Sequence, residues 1–537
     1  MGGGIAAVIV IYAPYPAPRL VRGGWMRRIA AIEDAFADRE RVYVWPVGHR
    51  WLPDPRDYRP REERPAEGAT FLTLDLRFSN QVRRLSELID EADFVYAHTS
   101  HSARHLLPYY DTGKIVTDLH GIAPEEERNM GKPGRAAFFE ALEETMVRKS
   151  ARLVAVTQAM IDHLCAKYPG LDTECLLLPI VDDVKAPPRR SAGSRPRVVY
   201  AGGTQAWQNL GEMLDAVAAL RGRCDFRFYT DDVTAVRKAA RERGIGDALL
   251  VESLSPERLV EAYGEADFGF VLRDDIAVNR VSCPTKLSEY LACGVVPVVK
   301  LASIGDFERL GYRYVRIEDF LAGRLPPAAE AEEMRKANLR AFDAMRRAFR
   351  EGVEALRSLA VAPSGRSAVT SATMTSTERC AIYPLHGMSI RATGDAGEVV
   401  HECDDVAGPR VFVEFSVGSV RRLRRVDLRL GEAPVIATPI AIEAVTRDGI
   451  LPIRLRRGVR TDRFGNWLFD GLDMVVESEP LDVDGVSAIR CRFEILLAGP
   501  EVHAAIVPGA CEPRGLLRRW ADRARRKAHA VYRRIRG

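Results

Sequence analysis

The sequence predicts an α/β protein with two open parallel sheets, followed by an antiparallel β-rich domain and a terminal amphipathic helix. Short apolar runs alternate with stretches of helical spacing up to about residue 360, as buried parallel strands and their connecting helices do. From about residue 379 the apolar period becomes two, which is typical of half-exposed antiparallel strands. The 537 residues also exceed what one hydrophobic core can organise.

The first half begins with an apolar run at 5–12 that ends before a proline-rich loop, as a buried strand would. A helix is expected next, because Trp25, Ile29 and Ile32 recur at helical spacing. The later strands of this half are predicted at 42–47, 94–97, 115–119 and 153–156. We therefore predict a Rossmann-like domain over residues 1–185.

The same pattern restarts after a polar segment at 185–196. The strands of this second half are predicted at 197–201, 225–229, 249–251, 268–272 and 295–299. A long tract of helical spacing at 328–359 closes this part of the chain. We therefore predict a second Rossmann-like domain, with its closing helices, over residues 186–360.

The remaining third of the chain differs in composition and period. A Ser/Thr-rich linker is predicted at 361–378, and Asp-Gly turn signals separate the period-two strands that follow it. These strands predict a β-sandwich-like accessory domain over 379–510. In 511–537 the apolar and basic side chains fall on opposite faces of a helix, which predicts a basic amphipathic helix.

Composition narrows the class of protein. The chain has 47% hydrophobic residues, but no uninterrupted apolar stretch of about 18 residues, so a membrane span is not expected. No basic region precedes the apolar run at 5–12, so a signal peptide is not expected either. The nine cysteines are scattered without CxxC spacing, which favours a reduced, cytoplasmic protein. Residues 515–537 hold nine Lys or Arg against Asp522, so the net charge of +4 leaves −4 for the rest of the chain. This balance argues against a nucleic-acid partner.

The most informative motif is PTKLSEYLACGVVPVV at 284–299, which predicts a loop, a helix, a terminal glycine and a buried strand. A helix N-terminus offers free N–H groups and a positive dipole end to a diphosphate, and Lys286 adds a full charge. One turn later, the carboxylate of Glu289 can accept hydrogen bonds from both hydroxyls of a ribose. The simpler alternative is a surface ion pair between Lys286 and Glu289, worth about 0.3 kcal/mol.

This segment resembles the motif of GT-B glycosyltransferases of family 4, the kind that act in bacterial surface-polysaccharide synthesis. Those proteins carry Pro-x-Lys-x-x-Glu-Tyr-x-x-x-Gly-x-Pro-Val, which is matched by Pro284, Lys286, Glu289, Tyr290, Gly294 and, after one extra residue, Pro297. The resemblance implies a nucleotide-sugar donor bound by Thr285, Lys286 and Glu289. Lys286 would also be catalytic, because its charge compensates the departing diphosphate.

The resemblance extends to YAGGTQAWQN at 200–209, which follows the first predicted strand of the second half. In the family this Gly-rich turn approaches the donor's phosphates, and Gly202 and Gly203 have no side chain to obstruct them. Thr204 is the third donor-binding residue expected here. A plain β-turn is the simpler alternative.

Two segments of the first half resemble the family as well. TDLHG at 117–121 is similar to its Asp-x-His-Gly segment, which implies that His120 is a catalytic residue that contacts the donor sugar and its phosphate. Gly23 and Gly24 open the first helix, where family members have a Gly-Gly turn that faces the acceptor and the interdomain cleft. Thr157 is the expected N-cap of a later helix. A structural histidine and an ordinary tight turn are the alternatives.

The chain departs from the family pattern at several positions. Val281 stands where many members have the first glutamate of Glu-x7-Glu. The usual Arg and Lys of the Gly-rich segment are replaced by Gly203 and, approximately, Gln208. Compensation of phosphate charge would then rest on Lys286, with Arg273 or Arg280 as candidates for a second cation. These departures leave the identity of the donor open.

The predicted function is transfer of a sugar from a nucleotide-sugar donor to a glycan or lipid-linked acceptor, in surface polysaccharide synthesis. The resemblance implies retention of anomeric configuration and no need for a metal ion or a further cofactor. The alternative is a catalytically silent GT-B scaffold that binds glycan or sugar nucleotide through the cleft or the β-rich domain. The missing basic residues favour this alternative, whereas the convergence of Lys286, Glu289 and His120 favours the enzyme.

The basic helix predicted at 511–537 bears on localisation. Arginines beside an apolar stripe suit an anionic membrane surface, so we expect peripheral binding through 512–537 at the inner face of the membrane. The alternative is a solvated helix that packs on its own protein.

Overall fold

The computed structural model describes residues 8–18, 24–46, 61–74, 79–181, 184, 187, 195–359, 388–403, 410–418, 420, 422–430, 435–438, 440–456, 460–461, 466–469 and 475–498. The chain divides into two compact units, Met1–Thr73 with Leu88–Ala368 and Leu74–Glu87 with Val369–Gly537. The first unit contains the sheets of both predicted α/β halves, and the second contains the β-rich region.

The strands of the first sheet are β1 Val8–Tyr12, β2 Glu40–Pro46, β3 Arg61–Ala66, β4 Ala69–Leu74, β5 Phe94–His98, β6 Ile115–Leu119, β7 Arg152–Ala155 and β8 Cys175–Leu177. The helices of this half are α1 Gly24–Ala35, α2 Ser79–Glu91, α3 Ser100–Ala103, α4 Ala123–Asn129, α5 Pro133–Lys149 and α6 Gln158–Lys167, with a 3-10 helix at Arg104–Thr112.

The order of the first sheet is β3-β4-β2-β1-β5-β6-β7-β8. The pairs β1–β2, β1–β5, β5–β6, β6–β7 and β7–β8 are parallel. Every residue of β5 and β6 is buried, which explains why these strands are mostly apolar, with His98, Thr117 and Asp118 as the polar exceptions. The antiparallel hairpin β3–β4 and the short strand β8 were not predicted. Five of the six residues of β3 are exposed, so it carries no apolar pattern.

The strands of the second sheet are β9 Arg197–Ala201, β10 Asp225–Tyr229, β11 Leu249–Glu252, β12 Phe268–Val271, β13 Val296–Val299 and β14 Val315–Arg316. The helices of this half are α7 Leu210–Ala219, α8 Val233–Glu242, α9 Pro256–Gly264, α10 Ala277–Val281, α11 Thr285–Ala292, α12 Ile317–Leu321 and α13 Ala328–Arg357, with a 3-10 helix at Ala206–Gln208.

The second sheet is parallel throughout, in the order β11-β10-β9-β12-β13-β14. Counted from β9, this is the doubly wound order 3-2-1-4-5-6. The order reverses between β9 and β12, so the loops after these two strands leave in opposite directions and open a crevice at their carboxyl ends. The five strands predicted for this half are confirmed, and only the two-residue β14 was missed.

The long helix α13 starts on the second half and ends on the first. Near its start Arg335 forms an ion pair with Asp267 at 2.9 Å. Near its end, Leu356 is fully buried in the core of the first sheet. A Cβ on Gly352 would lie 2.4 Å from the carbonyl oxygen of Leu177, so only glycine allows this close approach. Helix α13 therefore ties the two halves into one unit.

A second junction between the halves lies at the start of α6. Thr157 is its N-cap, as predicted, because Oγ1 accepts a hydrogen bond from the Met160 amide at 3.0 Å. The same hydroxyl donates to the carbonyl of Val281 at 2.6 Å. Asp306 of the second half accepts the amides of Gln158 and Ala159 at 2.5 and 2.9 Å. The first turn of α6 is thus completed by residues of the other half.

The β-rich region of the second unit is built from antiparallel strands. They are β15 Met388–Gly394, β16 Gly397–Cys403, β17 Arg410–Ser416, β18 Arg422–Arg429, β19 Val435–Ala437, β20 Ala441–Thr446, β21 Gly449–Ile453, β22 Arg460–Thr461, β23 Trp467–Phe469, β24 Val475–Glu477, β25 Val483–Asp484 and β26 Val486–Ala498. One sheet has the order β16-β15-β18-β24, with β25 paired to β18. The other has the order β21-β20-β26-β19-β23-β22, with β17 paired to β26.

The predicted antiparallel β-rich region is therefore confirmed, while its packing as a sandwich stays a prediction, as do the domain boundaries. The linker at 361–378 and the amphipathic helix at 511–537 lie outside the described residues. Among the helices that the structure describes, none combines the length and the apolar character needed to cross a membrane.

Candidate functional site

The predicted donor residues of the second half meet at its topological switch point. Gly202 follows β9, and Lys286 lies in the first turn of α11. The Nζ atom of Lys286 is 3.9 Å from the ring centroid of Tyr200 and donates to Oε1 of Gln208 at 3.1 Å. The motifs at 200–209 and 284–299, about 80 residues apart in sequence, therefore form one site.

Gly202 leaves the space that Lys286 occupies. Its φ of +146° lies in a region that L side chains rarely adopt, and a Cβ here would be 2.9 Å from Nζ of Lys286. The Gly202 amide donates to the carbonyl of Tyr229 at 3.0 Å, which fixes the turn. A side chain at position 202 would therefore displace the ammonium group.

Gly203 and Thr204 continue the turn away from Lys286. The carbonyl of Gly203 accepts a hydrogen bond from the Tyr200 hydroxyl, and a Cβ on Gly203 would meet the amide of Gln205. Thr204 donates from Oγ1 to Oδ2 of Asp232 at 2.6 Å. The hydroxyl of Thr204 is thus already engaged, whereas its backbone remains part of the turn.

Two cations determine the electrostatics of this site. Partial burial, together with the positive charge of Arg273, holds the pKa of Lys286 well below its usual 10.5, although Glu289 acts in the opposite direction. Burial also lowers the pKa of Arg273, which follows β12. Both effects disfavour the charged forms in the absence of an anion.

Glu289 is buried, with 8% of its surface exposed, and both of its oxygens have partners. Arg27 of α1 donates to Oε1 at 2.5 Å, and the Tyr263 hydroxyl donates to Oε2 at 2.9 Å. Glu289 therefore links the second half to the first, instead of forming a surface ion pair with Lys286. No local pattern could predict its pairing with Arg27, because the partners are 262 residues apart.

The starts of α1 and α11 face each other. A Cβ on Gly24, the first residue of α1, would lie 3.0 Å from Cγ2 of Thr285, the first residue of α11. Gly24 thus lies at the boundary between the halves, where it was expected, and directly beside a predicted donor residue. Gly23 lies outside the described residues.

His120 belongs to a polar cluster at the carboxyl ends of β5 and β6. Its Nε2 lies 3.1 Å from Oδ2 of Asp118 and 3.4 Å from Nδ1 of His98. Arg28 binds both oxygens of Asp118, at 2.9 and 3.1 Å, and the Tyr96 hydroxyl donates to Oδ2 at 2.8 Å. Within the described ranges, Nδ1 of His120 makes no hydrogen bond with the protein.

The charge states of the cluster follow from its contacts. Burial alone would raise the pKa of Asp118, but the charges of Arg28 and His120 outweigh it and hold this pKa well below 3.8. Burial lowers the pKa of His98 well below 6.5, so its ring is neutral at pH 7. The cluster therefore contains a carboxylate that orients the imidazole of His120.

His98, Asp118 and His120 place their ligand atoms within 4.8 Å of one another, a spacing that a metal ion could bridge. The bidentate contact of Arg28 with Asp118 opposes a second cation at this point, because the guanidinium already neutralises the carboxylate. Independence from metal ions stays a prediction.

Arg28 is a functional candidate that the sequence analysis missed, although the sequence carries a signal for it. Arg28 lies three residues after Trp25 and four before Ile32, on the same helical stripe as the apolar residues of α1. It is only 1% exposed. A charged residue on an apolar stripe predicts a buried partner, which here is Asp118.

Comparisons with known proteins support the fold. No protein-family model matches the chain, and no curated protein matches it in sequence. A sucrose-phosphate synthase from Thermosynechococcus elongatus aligns with 65% of this chain and 97% of its own, at 10% identity and a TM-score of 0.50. At this identity the likeness concerns the fold alone. It shows that the first unit has the GT-B fold, which consists of two Rossmann-like domains.

Two further solved structures are similar at lower TM-scores. The Anabaena protein HepE in complex with UDP is 12% identical, with 66% of this chain and 100% of the other aligned and a TM-score of 0.47. A UDP-forming α,α-trehalose-phosphate synthase from Burkholderia vietnamiensis is 16% identical, with 66% and 100% aligned and a TM-score of 0.45.

Proposed function

We propose that this chain is a nucleotide-sugar-dependent glycosyltransferase. The observation that carries the proposal is the meeting of Lys286, the Gly202 turn and the start of α11 at the switch point of the second sheet. Ligands of open α/β sheets bind at this place, and a helix start with a nearby cation suits a diphosphate. The fold shared with a sucrose-phosphate synthase agrees with a sugar-transferring role.

The second half would hold the donor and stabilise its leaving group. Negative charge develops on the diphosphate as the bond to the sugar breaks, and the ammonium of Lys286 stabilises this charge most strongly where water is excluded. Because Gly202 has no side chain, the Lys286 ammonium lies against the turn, where it would meet the phosphates. Glu289 would bind the ribose, since a carboxylate oxygen that accepts from Arg27 can accept a second hydrogen bond.

The first half would hold the acceptor and present His120 to the sugar. If Nε2–H of the neutral ring donates to Asp118, Nδ1 is left as an acceptor for a sugar hydroxyl. A contact with a phosphate oxygen would instead require a proton on Nδ1, which could then donate a hydrogen bond. Asp118 would therefore act through the orientation of His120.

We also propose the finer features that the resemblance implies. These are retention of anomeric configuration, independence from metal ions, and a glycan or lipid-linked acceptor in surface polysaccharide synthesis. A lipid-linked acceptor agrees with peripheral membrane binding through 512–537. Deletion of 512–537 should reduce the partition of the protein onto anionic vesicles but not onto neutral ones. Unchanged partition would remove this part of the proposal.

A catalytically silent scaffold is the second candidate. It is favoured by the engagement of both Glu289 oxygens within the protein and by the replacement of the family's basic residues with Gly203 and Gln208. Such a protein would bind glycan or sugar nucleotide without transfer.

The deciding experiment is a thermal-shift panel of UDP-, GDP-, dTDP- and ADP-sugars with the full chain. We expect one nucleotide class to stabilise the wild type, with the stabilisation lost in Lys286→Ala and Glu289→Gln. Lys238→Ala is the matched control, because Lys238 lies on α8 of the same half with its side chain 72% exposed. When acceptors are added, the protein should transfer the sugar of the stabilising donor to one of them and release the nucleotide.

The panel separates the candidates. Stabilisation without any turnover of the donor would favour the silent scaffold, and no stabilisation by any sugar nucleotide would contradict the proposed glycosyltransferase.

A further inference from the structure

Two basic side chains of the switch-point crevice, Lys286 and Arg273, differ in their contacts from the basic residues around them. The ammonium of Lys286 contacts the Tyr200 ring and Gln208 and lies against Gly202. Arg273 donates from Nη1 to the carbonyl of Trp207 at 3.4 Å. Neither forms an ion pair with a carboxylate in the part of the chain that the structure describes. Both side chains are partly buried.

Neighbouring basic residues behave differently. Asp274, next to Arg273 in sequence, pairs instead with Lys300 at 2.7 Å. Arg280 pairs with Asp275 at 2.6 Å, and its side chain is 57% exposed. Asp274 and Asp275 are thus used by other cations, and among the described residues no carboxylate forms an ion pair with Arg273 or Lys286, although the charge of Glu289 acts on Lys286 from a greater distance.

Holding two like charges near each other costs free energy, and partial burial increases this cost. This cost applies to Arg273 and Lys286, because the positive charge of Arg273 lowers the pKa of Lys286 and both side chains interact with Tyr200. An anion between them would relieve it. Gly202 lets the Lys286 ammonium lie against the turn after β9, and Lys286 itself stands in the first turn of α11, whose N-terminus favours an anion.

We propose that Arg273 and Lys286 form a two-cation site for the diphosphate of the donor. Gly203 and Gln208 stand where the family has its basic residues. Arg273, which follows β12, then supplies the second positive charge from a different strand. Arg280 has no part in the site, although the sequence left both arginines as candidates. The anion site itself follows from the contacts of Lys286 and Arg273. Its assignment to a nucleoside diphosphate rests on the proposed function.

The test measures the binding of inorganic pyrophosphate, of UDP, GDP, dTDP and ADP, and of the parent nucleosides to the full chain by titration calorimetry. We expect Arg273→Ala to weaken pyrophosphate and nucleoside diphosphate binding by about tenfold or more, because a charge-assisted contact is lost. Nucleoside binding should not change. Arg280→Ala is the matched control and should bind as the wild type does.

Two further measurements guard against a folding defect. Arg273→Lys keeps the charge and should recover part of the lost affinity. The unliganded Arg273→Ala protein should melt no lower than the wild type, because removal of one of two repelling charges relieves strain.

The outcomes for the two proposals are distinct. Equal diphosphate affinity in Arg273→Ala, Arg280→Ala and wild type would overturn the role of Arg273 and leave the proposed glycosyltransferase intact. Absence of pyrophosphate binding to the wild type would overturn the anion site itself. If pyrophosphate binding depends on Arg273 and no nucleotide or sugar nucleotide binds, the two-cation site stands and the proposed function falls.

Discussion

Lys286 occupies a position where its own charge is costly, and this makes it responsive to a ligand. Partial burial and the charge of Arg273 lower its pKa in the free protein. A bound diphosphate would favour the charged form and raise the pKa again. Binding and protonation at this residue are therefore coupled.

The coupling predicts a dependence of affinity on pH. As the pH rises through the lowered pKa of free Lys286, the site loses one cation, so the affinity for nucleoside diphosphates should fall at a pH well below the usual lysine pKa of 10.5. Lys286→Arg should flatten this profile, because arginine stays charged over the whole range. Isothermal titrations at a series of pH values check this, and an equally steep profile in Lys286→Arg would assign the titration to another group.

A second prediction concerns Gly202. Gly202→Ala should weaken nucleotide binding by about tenfold or more, because the new Cβ would displace the Lys286 ammonium. Gly222→Ala is the matched control: Gly222 also has a positive φ, +75°, but a Cβ there would meet no atom within 4 Å. The control should lose stability through backbone strain while its nucleotide affinity stays at the wild-type value. Similar affinity losses in both variants would point to strain instead of displacement.

At the scale of elements, buried parallel strands were predictable because most of their residues are apolar, as in β9 and β12. The strand β3 could not be predicted, because its mostly exposed residues, Arg61–Ala66, show no alternation of apolar and polar side chains. The donor motifs at 200–209 and 284–299 could be assigned to one site from the sequence. The strand order of such a domain determines where the loops after β9 and before α11 lie. The pairing of Arg27 with Glu289 depends on how the two halves pack, and no local pattern records that.

The junction at α6 supports a prediction at this scale. Asp306→Ala removes both acceptors of the Gln158 and Ala159 amides, so it should destabilise the protein by about 1 to 2 kcal/mol. The melting temperature should fall by several degrees, and nucleotide affinity should not change. Asp319→Ala, which removes an exposed partner of Arg324, is the control and should melt like the wild type. An unchanged melting temperature in Asp306→Ala would show that the cap contributes little.

At the scale of the molecule, every described residue of the candidate site belongs to the first unit. A chain that ends at Leu359 keeps α13 complete and should therefore bind nucleoside diphosphates with the affinity of the full chain. Calorimetry on both proteins checks this expectation. Retained binding with lost transfer to an acceptor would assign the β-rich unit to acceptor recognition, whereas lost binding in a folded truncated chain would contradict the assignment of the site.

Helix α13 also determines what a cut in the chain would do. Its residues follow the second half in sequence, yet its last turns lie in the core of the first, where Leu356 is fully buried. The backbone between the halves is therefore only one of two connections. Separately produced pieces 1–190 and 191–537 should behave as complementing fragments, which assemble through α13 into a single particle and restore the ion pair between Arg27 and Glu289 that neither piece contains alone.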